Sequence, residues 1–152
     1  MSNRSRDTIH MVDIANKPSV AREAEAVGKI HLQPKTIEAV RYNQIEKGNV
    51  LAAAQVAGIL AAKKTSEILP LCHPLPIVQT NLQFTFQKDG ITAQCSVSAQ
   101  YKTGVEMEAL VGVTIALLTI WDMVKYLEKD AAGQYPTTHI SKVKVIKKWK
   151  AA

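Results

Sequence analysis

Cysteine is scarce: Cys72 and Cys95 are the only two in 152 residues, and they form no CxxC pair. A structural zinc site takes four suitably spaced ligands. Two distant thiols and the scattered His10, His31 and His139 do not supply that spacing. A chain of this length can build a core without disulfide staples, so both cysteines read as free thiols in a reducing compartment. No GxxxxGK[ST] loop and no GxGxxG turn occurs, which excludes a P-loop nucleotidase and leaves a dinucleotide fold without its fingerprint. The first fourteen residues, MSNRSRDTIHMVDI, hold no apolar signal-peptide core. The longest apolar run, 109–121, falls short of the roughly 20 residues that span a bilayer. These features point to a cytoplasmic protein that is not membrane-bound. Internal repeats, low-complexity tracts and interdomain linkers are also missing.

What is present is an ordinary globular balance, 47% apolar and 21% charged, with 19 basic against 13 acidic residues and a net charge of +6. That excess favours anionic partners: nucleic acid, a phosphorylated small molecule or an acidic surface. Residues 1–8 are polar and expected to be flexible; 9–150 read as one domain.

The chain is organised around KTGVEMEALVGVTIALLTIWDMVKYLEKD, residues 102–130. Its apolar run lacks strand alternation and is too long for one buried strand, so a helix is expected, buried on several sides. Glu106 and Glu108 near its start suit the positive end of a helix dipole. Asp122 and Lys125, three apart, share a face near its end. Taken singly, Glu106 and Glu108 read equally well as helix-start solvation or as functional groups, and Asp122 with Lys125 as a surface ion pair or as functional groups. Together they border a helix that otherwise belongs inside.

Ahead of this helix, a short strand is expected at 10–14, a turn at 17–19 and a strand at 20–33 with a bulge around Gly28. A helix follows over 36–44, opened by Pro34. The hinge Glu46-Lys47-Gly48-Asn49 comes next, then a helix over 50–63 capped by Asn49. That second helix is rich in alanine and carries Gly58, which predicts a close helix–helix or helix–sheet contact. The segment ILPLCHPLP at 68–76 holds three prolines and cannot be regular. Being apolar, it is expected to be buried and to hold something in place. Strands at 78–87 and 91–101 alternate and are joined by the hairpin signal Lys88-Asp89-Gly90. A basic strand at 138–148 ends the series. This order implies an α+β fold, an antiparallel sheet with helices packed on one face, ferredoxin-like in its closing half.

Several residues carry candidate chemistry. His73, between Cys72 and Pro74, is either a satisfied loop histidine or a general acid/base aimed by a stiff loop. Lys47 before Gly48 is either a solvated lysine or a cation directed at phosphate. Cys95 alternates with apolar strand residues and reads as core. The basic end, ISKVKVIKKWKAA, reads as a solvated edge strand whose lysines block edge pairing. It shows no RRM or helix-turn-helix signature, although interleaved lysine and tryptophan can bind nucleic acid. Glu108 and Asp122 stand about 21 Å apart along an ideal helix, too far for one small ligand. If both serve one kind of site, two or more chains build it.

PLCHPLP at 70–76 and KTGVEMEAL followed by LLTIWDMVKYLEKD together resemble the MoaC family closely. HMVDI, KGNVLAAAQVAGILAAKKT and the late basic strand are similar to it as well, so the resemblance covers nearly the whole chain. It implies a ferredoxin-like subunit in a homohexamer, a trimer of dimers with interface sites. The implied reaction converts 3′,8-cyclo-7,8-dihydroguanosine 5′-triphosphate, made by a partner radical-SAM GTP cyclase, to cyclic pyranopterin monophosphate and diphosphate. That is an early step of molybdenum cofactor biosynthesis and a lyase reaction. The resemblance assigns catalytic roles to Lys47, Asp122 and Lys125. It assigns substrate binding to Arg22, His73, Glu106, Met107, Glu108 and Lys148. It implies no bound cofactor and no protein-bound metal, with a divalent ion accompanying the triphosphate left open. The glycine- and serine-rich tail of many members is replaced here by Trp149-Lys150-Ala151-Ala152. The alternative class is a noncatalytic nucleotide- or nucleic-acid-binding protein, marked by steep salt dependence.

Overall fold

The computed structural model describes residues 8–152, so all but the last residue of the stretch expected to be flexible lies outside it. Eight elements follow in order: β1 (Val20–His31), α1 (Pro34–Arg41), α2 (Val50–Lys63), α3 (Thr65–Ile68), β2 (Ile77–Gln87), β3 (Gly90–Tyr101), α4 (Glu106–Glu128) and β4 (His139–Lys150). The strands form one antiparallel sheet in the order β2-β3-β1-β4. With its two helical crossovers, this is the ferredoxin-like arrangement.

Alternation decides the faces. Ala24, Ala26 and Ile30 of β1, and Ile91, Ala93, Cys95 and Val97 of β3, are almost wholly buried beneath the helices. Glu23, Glu25, Asn81, Ser96 and Ser98 line a shallow depression on the opposite, polar face. α4 lies against β1 where Gly28 leaves room. A Cβ at Gly28 would come within 2.8 Å of Leu117 and Val113 and 3.0 Å of Val143. The bulge expected there is present: the β1–β4 register shifts between Val27 and Lys29, opposite Lys142 at φ 57°, and again between Glu25 and Ala26.

The alanine-rich α2 packs on α4 as its composition predicts. A Cβ at Gly58 would strike Leu82 and stand 2.8 Å from the Gly112 carbonyl oxygen. A Cβ at Gly112 would stand 2.8 Å from the Cys95 sulfur. Asn49 caps α2, its Oδ1 accepting the Ala52 N–H at 3.0 Å.

Two expectations are corrected. Residues 10–14 form no strand, and the sheet is built from β1 to β4 alone among the described residues. The segment runs as coil into a turn closed by Lys17 N–H on the Ile14 carbonyl, 3.1 Å. The proline-rich loop is irregular as expected but not buried: Ile68 and Leu71 are 49% and 44% exposed in the single chain. A short extra helix, α3, precedes it, with the Thr65 hydroxyl donating to the Ala62 carbonyl at 2.8 Å. α4 is the core helix, burying Ala109, Val113, Ala116, Leu117, Ile120 and Val124. It is buried on several sides, as expected, while Leu118 stays 47% exposed on its outer surface.

Candidate active site

The structure gathers the candidate residues into two clusters at opposite ends of α4. The first stands on the last two turns of the helix. Asp122 projects outward, with the Lys125 ammonium 3.1 Å from Oδ1 and the Lys47 ammonium 3.2 Å from Oδ2. Lys47 also donates to the Asp122 carbonyl at 3.1 Å. Lys47 reaches this position because its turn is pinned twice. Gly48 adopts φ 111°, in the region that disfavours side chains, and its N–H closes the turn on the Ile45 carbonyl at 3.0 Å. The Glu46 N–H donates to the Tyr126 hydroxyl at 3.0 Å. Tyr126 was not singled out from the sequence; its place one turn after Asp122 was the available signal. Hydrogen bonds from Lys125 and then Lys47 hold the Asp122 carboxyl below its ordinary value. A carboxylate flanked by two ammonium groups can orient one, exchange protons with it and leave both near an incoming phosphate.

The second cluster surrounds the first turn of α4. Lys148 of β4 sits 2.8 Å from Glu106 Oε1. Arg22 of β1, on the helix-facing side of the sheet, donates to the Tyr101 and Lys102 carbonyls at 3.2 and 3.3 Å. Burial acts to raise the Glu106 carboxyl. The Lys148 hydrogen bond and charge outweigh it with help from Arg22, and the net value lies below the ordinary one. Glu108 behaves oppositely. It is 2% exposed, and Oε2 has no hydrogen-bond partner among the described residues. Burial, reinforced by the charge of Glu106, pushes its carboxyl upward. The Cys72 thiol donates to Glu108 Oε1 at 3.9 Å, and burial followed by that carboxylate raises the thiol in turn. The Cys72–Glu108 contact links the PLCHPLP and GVEMEAL segments, and no local pattern in the sequence announces it.

His73 bridges two hollows. One, about 50 Å³, is shared with Glu108, Ser66 and Thr65. The other, about 560 Å³, is shared with Cys72, Thr103 and Met107. Cys95 takes no part: it is wholly buried beneath Gly112, and burial raises its thiol to about 12.

Glu108 and Asp122 are almost four turns apart on a continuous helix, about 21 Å. Arg22, His73, Glu106, Met107, Glu108 and Lys148 therefore stand at one end, and Lys47, Asp122 and Lys125 at the other.

Fold and site together define a ferredoxin-like α+β enzyme with paired acids and bases beside cationic groups. The chain belongs to the MoaC family, whose model matches residues 11–151. It is 59% identical over 142 residues to a relative named Probable cyclic pyranopterin monophosphate synthase from Pyrococcus abyssi, covering 93% of this chain and 89% of that one. It is 55% identical over 141 residues to a relative of the same name from Sulfolobus acidocaldarius, covering 93% and 99%. A relative from Methanothermobacter thermautotrophicus, named Probable cyclic pyranopterin monophosphate synthase accessory protein, is 56% identical over 142 residues, covering 93% and 89%.

Proposed function

We propose that this chain is a cyclic pyranopterin monophosphate synthase, acting in molybdenum cofactor biosynthesis on 3′,8-cyclo-7,8-dihydroguanosine 5′-triphosphate. Family membership and the likeness to the synthases support the activity. The observation that carries the chemistry is the Asp122 carboxylate held between Lys47 and Lys125. The five-membered ring of the purine must open and re-form as a pterin, which requires protons to be taken and returned at several atoms. A paired carboxylate and ammonium supply both directions. The diphosphate must leave as the cyclic phosphate closes, and ammonium groups stabilise the charge that develops on it.

Lys47, Asp122 and Lys125 are the catalytic residues of this reading. Arg22 and Lys148 bind the phosphates, and His73, Met107, Glu106 and Glu108 hold the base and the fused ring. The protonatable Glu108, deep beside His73, can donate a hydrogen bond that an ionised carboxylate cannot. Residues 9–150 act as one unit. Because the two clusters sit about 21 Å apart, one site takes its halves from two subunits. The outward-facing Leu118 of α4, with Val56 and Leu60 of α2, is apolar surface of the kind a second copy covers. The assembly is a homohexamer in the cytoplasm, supplied with substrate by a radical-SAM GTP cyclase.

The test is direct. Purified protein mixed with the cyclised dihydroguanosine triphosphate should release diphosphate and yield a pterin that fluoresces after oxidation. Lys47→Ala, Asp122→Ala and Lys125→Ala should each lower turnover at least ~100-fold with unchanged circular dichroism. Normal turnover in any one of them removes that residue from the mechanism.

A further inference from the structure

We infer that Tyr126 is a positioning residue of this site, its hydroxyl holding the hinge backbone so that the Lys47 ammonium meets Asp122. The inference rests on the assignment of Lys47 and Asp122 to catalysis argued above. Lys47 lies in neither flanking helix. It sits in the hinge between α1 and α2, where the chain forms only turns and coil. The Gln44 N–H donates back to the Ala39 carbonyl of α1 at 2.8 Å, and Ile45 is sunk in the core. The next residue is tied across to α4: the Glu46 N–H donates to the Tyr126 hydroxyl at 3.0 Å. Among the described residues no other backbone group of 45–48 bonds to α4. Tyr126 follows Lys125 directly and Asp122 by four positions. One helix end therefore supplies both the anchor of the hinge and the carboxylate that Lys47 must face.

The ion pair alone does not hold that geometry. The Lys47 and Asp122 side chains are 46% and 60% exposed. A pair so wet contributes little once the entropy of a long side chain is counted. A flexible stem separates the lysine ammonium from its backbone, so a hinge free to drift leaves many lysine positions away from the carboxylate. Gly48 at φ 111° shapes the turn, but its N–H bonds within the hinge and attaches nothing to α4. The Tyr126 bond supplies the attachment before any substrate arrives, as a preorganised site requires. Tyr126 thus acts through Lys47 and does not itself touch the reacting atoms.

The experiment has two readouts. Tyr126→Phe keeps the partly exposed ring and removes only the accepting oxygen. With the cyclised dihydroguanosine triphosphate it should lower kcat about fivefold, the loss of one hydrogen bond, with KM within about twofold. In a Lys47→Ala background the same change should cost nothing further, because Tyr126 acts through that lysine. The second readout needs no turnover. Lys125 and Lys47 are the charged groups that face Asp122, and their hydrogen bonds keep its carboxyl below the ordinary value. A Lys47 that drifts loosens that hold. Carbon NMR of the Asp122 carboxyl should therefore show titration at higher pH in Tyr126→Phe than in the wild type, and Lys47→Met should move it the same way. Unchanged kcat together with an unmoved Asp122 titration overturns the proposal. So does an equal loss of kcat in the Lys47→Ala background, the mark of a residue that merely stiffens the helix end. Wild-type protein that never turns over the substrate, while Tyr126→Phe still moves the Asp122 titration, keeps the positioning role and overturns the activity.

Discussion

Two glutamates two positions apart, Glu106 and Glu108, occupy opposite electrostatic situations, and the difference is measurable. Glu106 meets Lys148 and Arg22, whereas Glu108 points into the protein with one oxygen unpartnered among the described residues. Burial, then the neighbouring Glu106 charge, raises the Glu108 carboxyl above its ordinary 4.5. A carboxyl raised on folding binds its proton more tightly in the native state. It therefore favours the fold below the unfolded value, and that benefit is lost as pH rises through the folded value. Glu108→Gln keeps the shape and removes the titration. It is expected to raise Tm by a few degrees at pH 8 and to leave Tm nearly unchanged at pH 4, in thermal melts across that range. Equal Tm values for the two proteins at pH 8 would mean that Glu108 carries no such penalty. Asp122 titrates the other way. Its value is held down by Lys125 and Lys47, so it stays ionised through any neutral assay and its charge survives to below pH 3.8.

At the scale of elements, one buried carboxylate joins three of them. Glu128, the last residue of α4, is fully buried. Its two oxygens accept the Gln33 N–H at 3.2 Å and hydroxyl hydrogens from Thr36 and, at 2.7 Å, Thr138. Gln33 is the N-cap of α1 and makes no side-chain cap bond of its own, so Glu128 caps that helix from another element. Glu128→Ala would strand a backbone N–H and two hydroxyls in the interior. We expect a loss of about 3 kcal/mol, seen as a Tm lower by about 6–12 °C. A change within 1 °C would show that water replaces the carboxylate at no cost. This contact was not legible in the sequence, because Glu128 reads as an ordinary acidic residue in YLEKD and its partners lie as many as 95 positions away. Legible features were those with a local cause. Strand alternation at 91–101, Asn49 ahead of an alanine-rich helix and Gly28 at a bulge each declare themselves within a few residues. The proline loop misled for the complementary reason. Its apolar residues predict burial, but the single chain supplies nothing to cover Ile68 and Leu71.

Across the whole molecule, the candidate site residues were assigned through the family resemblance, Arg22, Lys47 and Lys148 from outside its two most specific motifs, but the separation of the two clusters is a property of the helix between them. α4 runs unbroken from Glu106 to Glu128, and a rigid rod of that length cannot bring Glu108 and Asp122 to one small molecule. If the site is shared, its halves come from different chains, and that has a consequence for mixtures. His73→Ala damages one half and Lys47→Ala the other. Each homo-oligomer alone should be nearly inactive. Unfolded together, mixed in equal amounts and reassembled, they form interfaces in which an intact His73 half meets an intact Lys47 half. For a random mixture, about one site in four pairs two wild-type halves, so activity should return to roughly a quarter of the wild-type level. A site contained within one chain gives no recovery, because every chain in the mixture carries a lesion. Recovery therefore separates a shared site from a self-contained one by the presence or absence of activity, and its size reports how freely the subunits exchange.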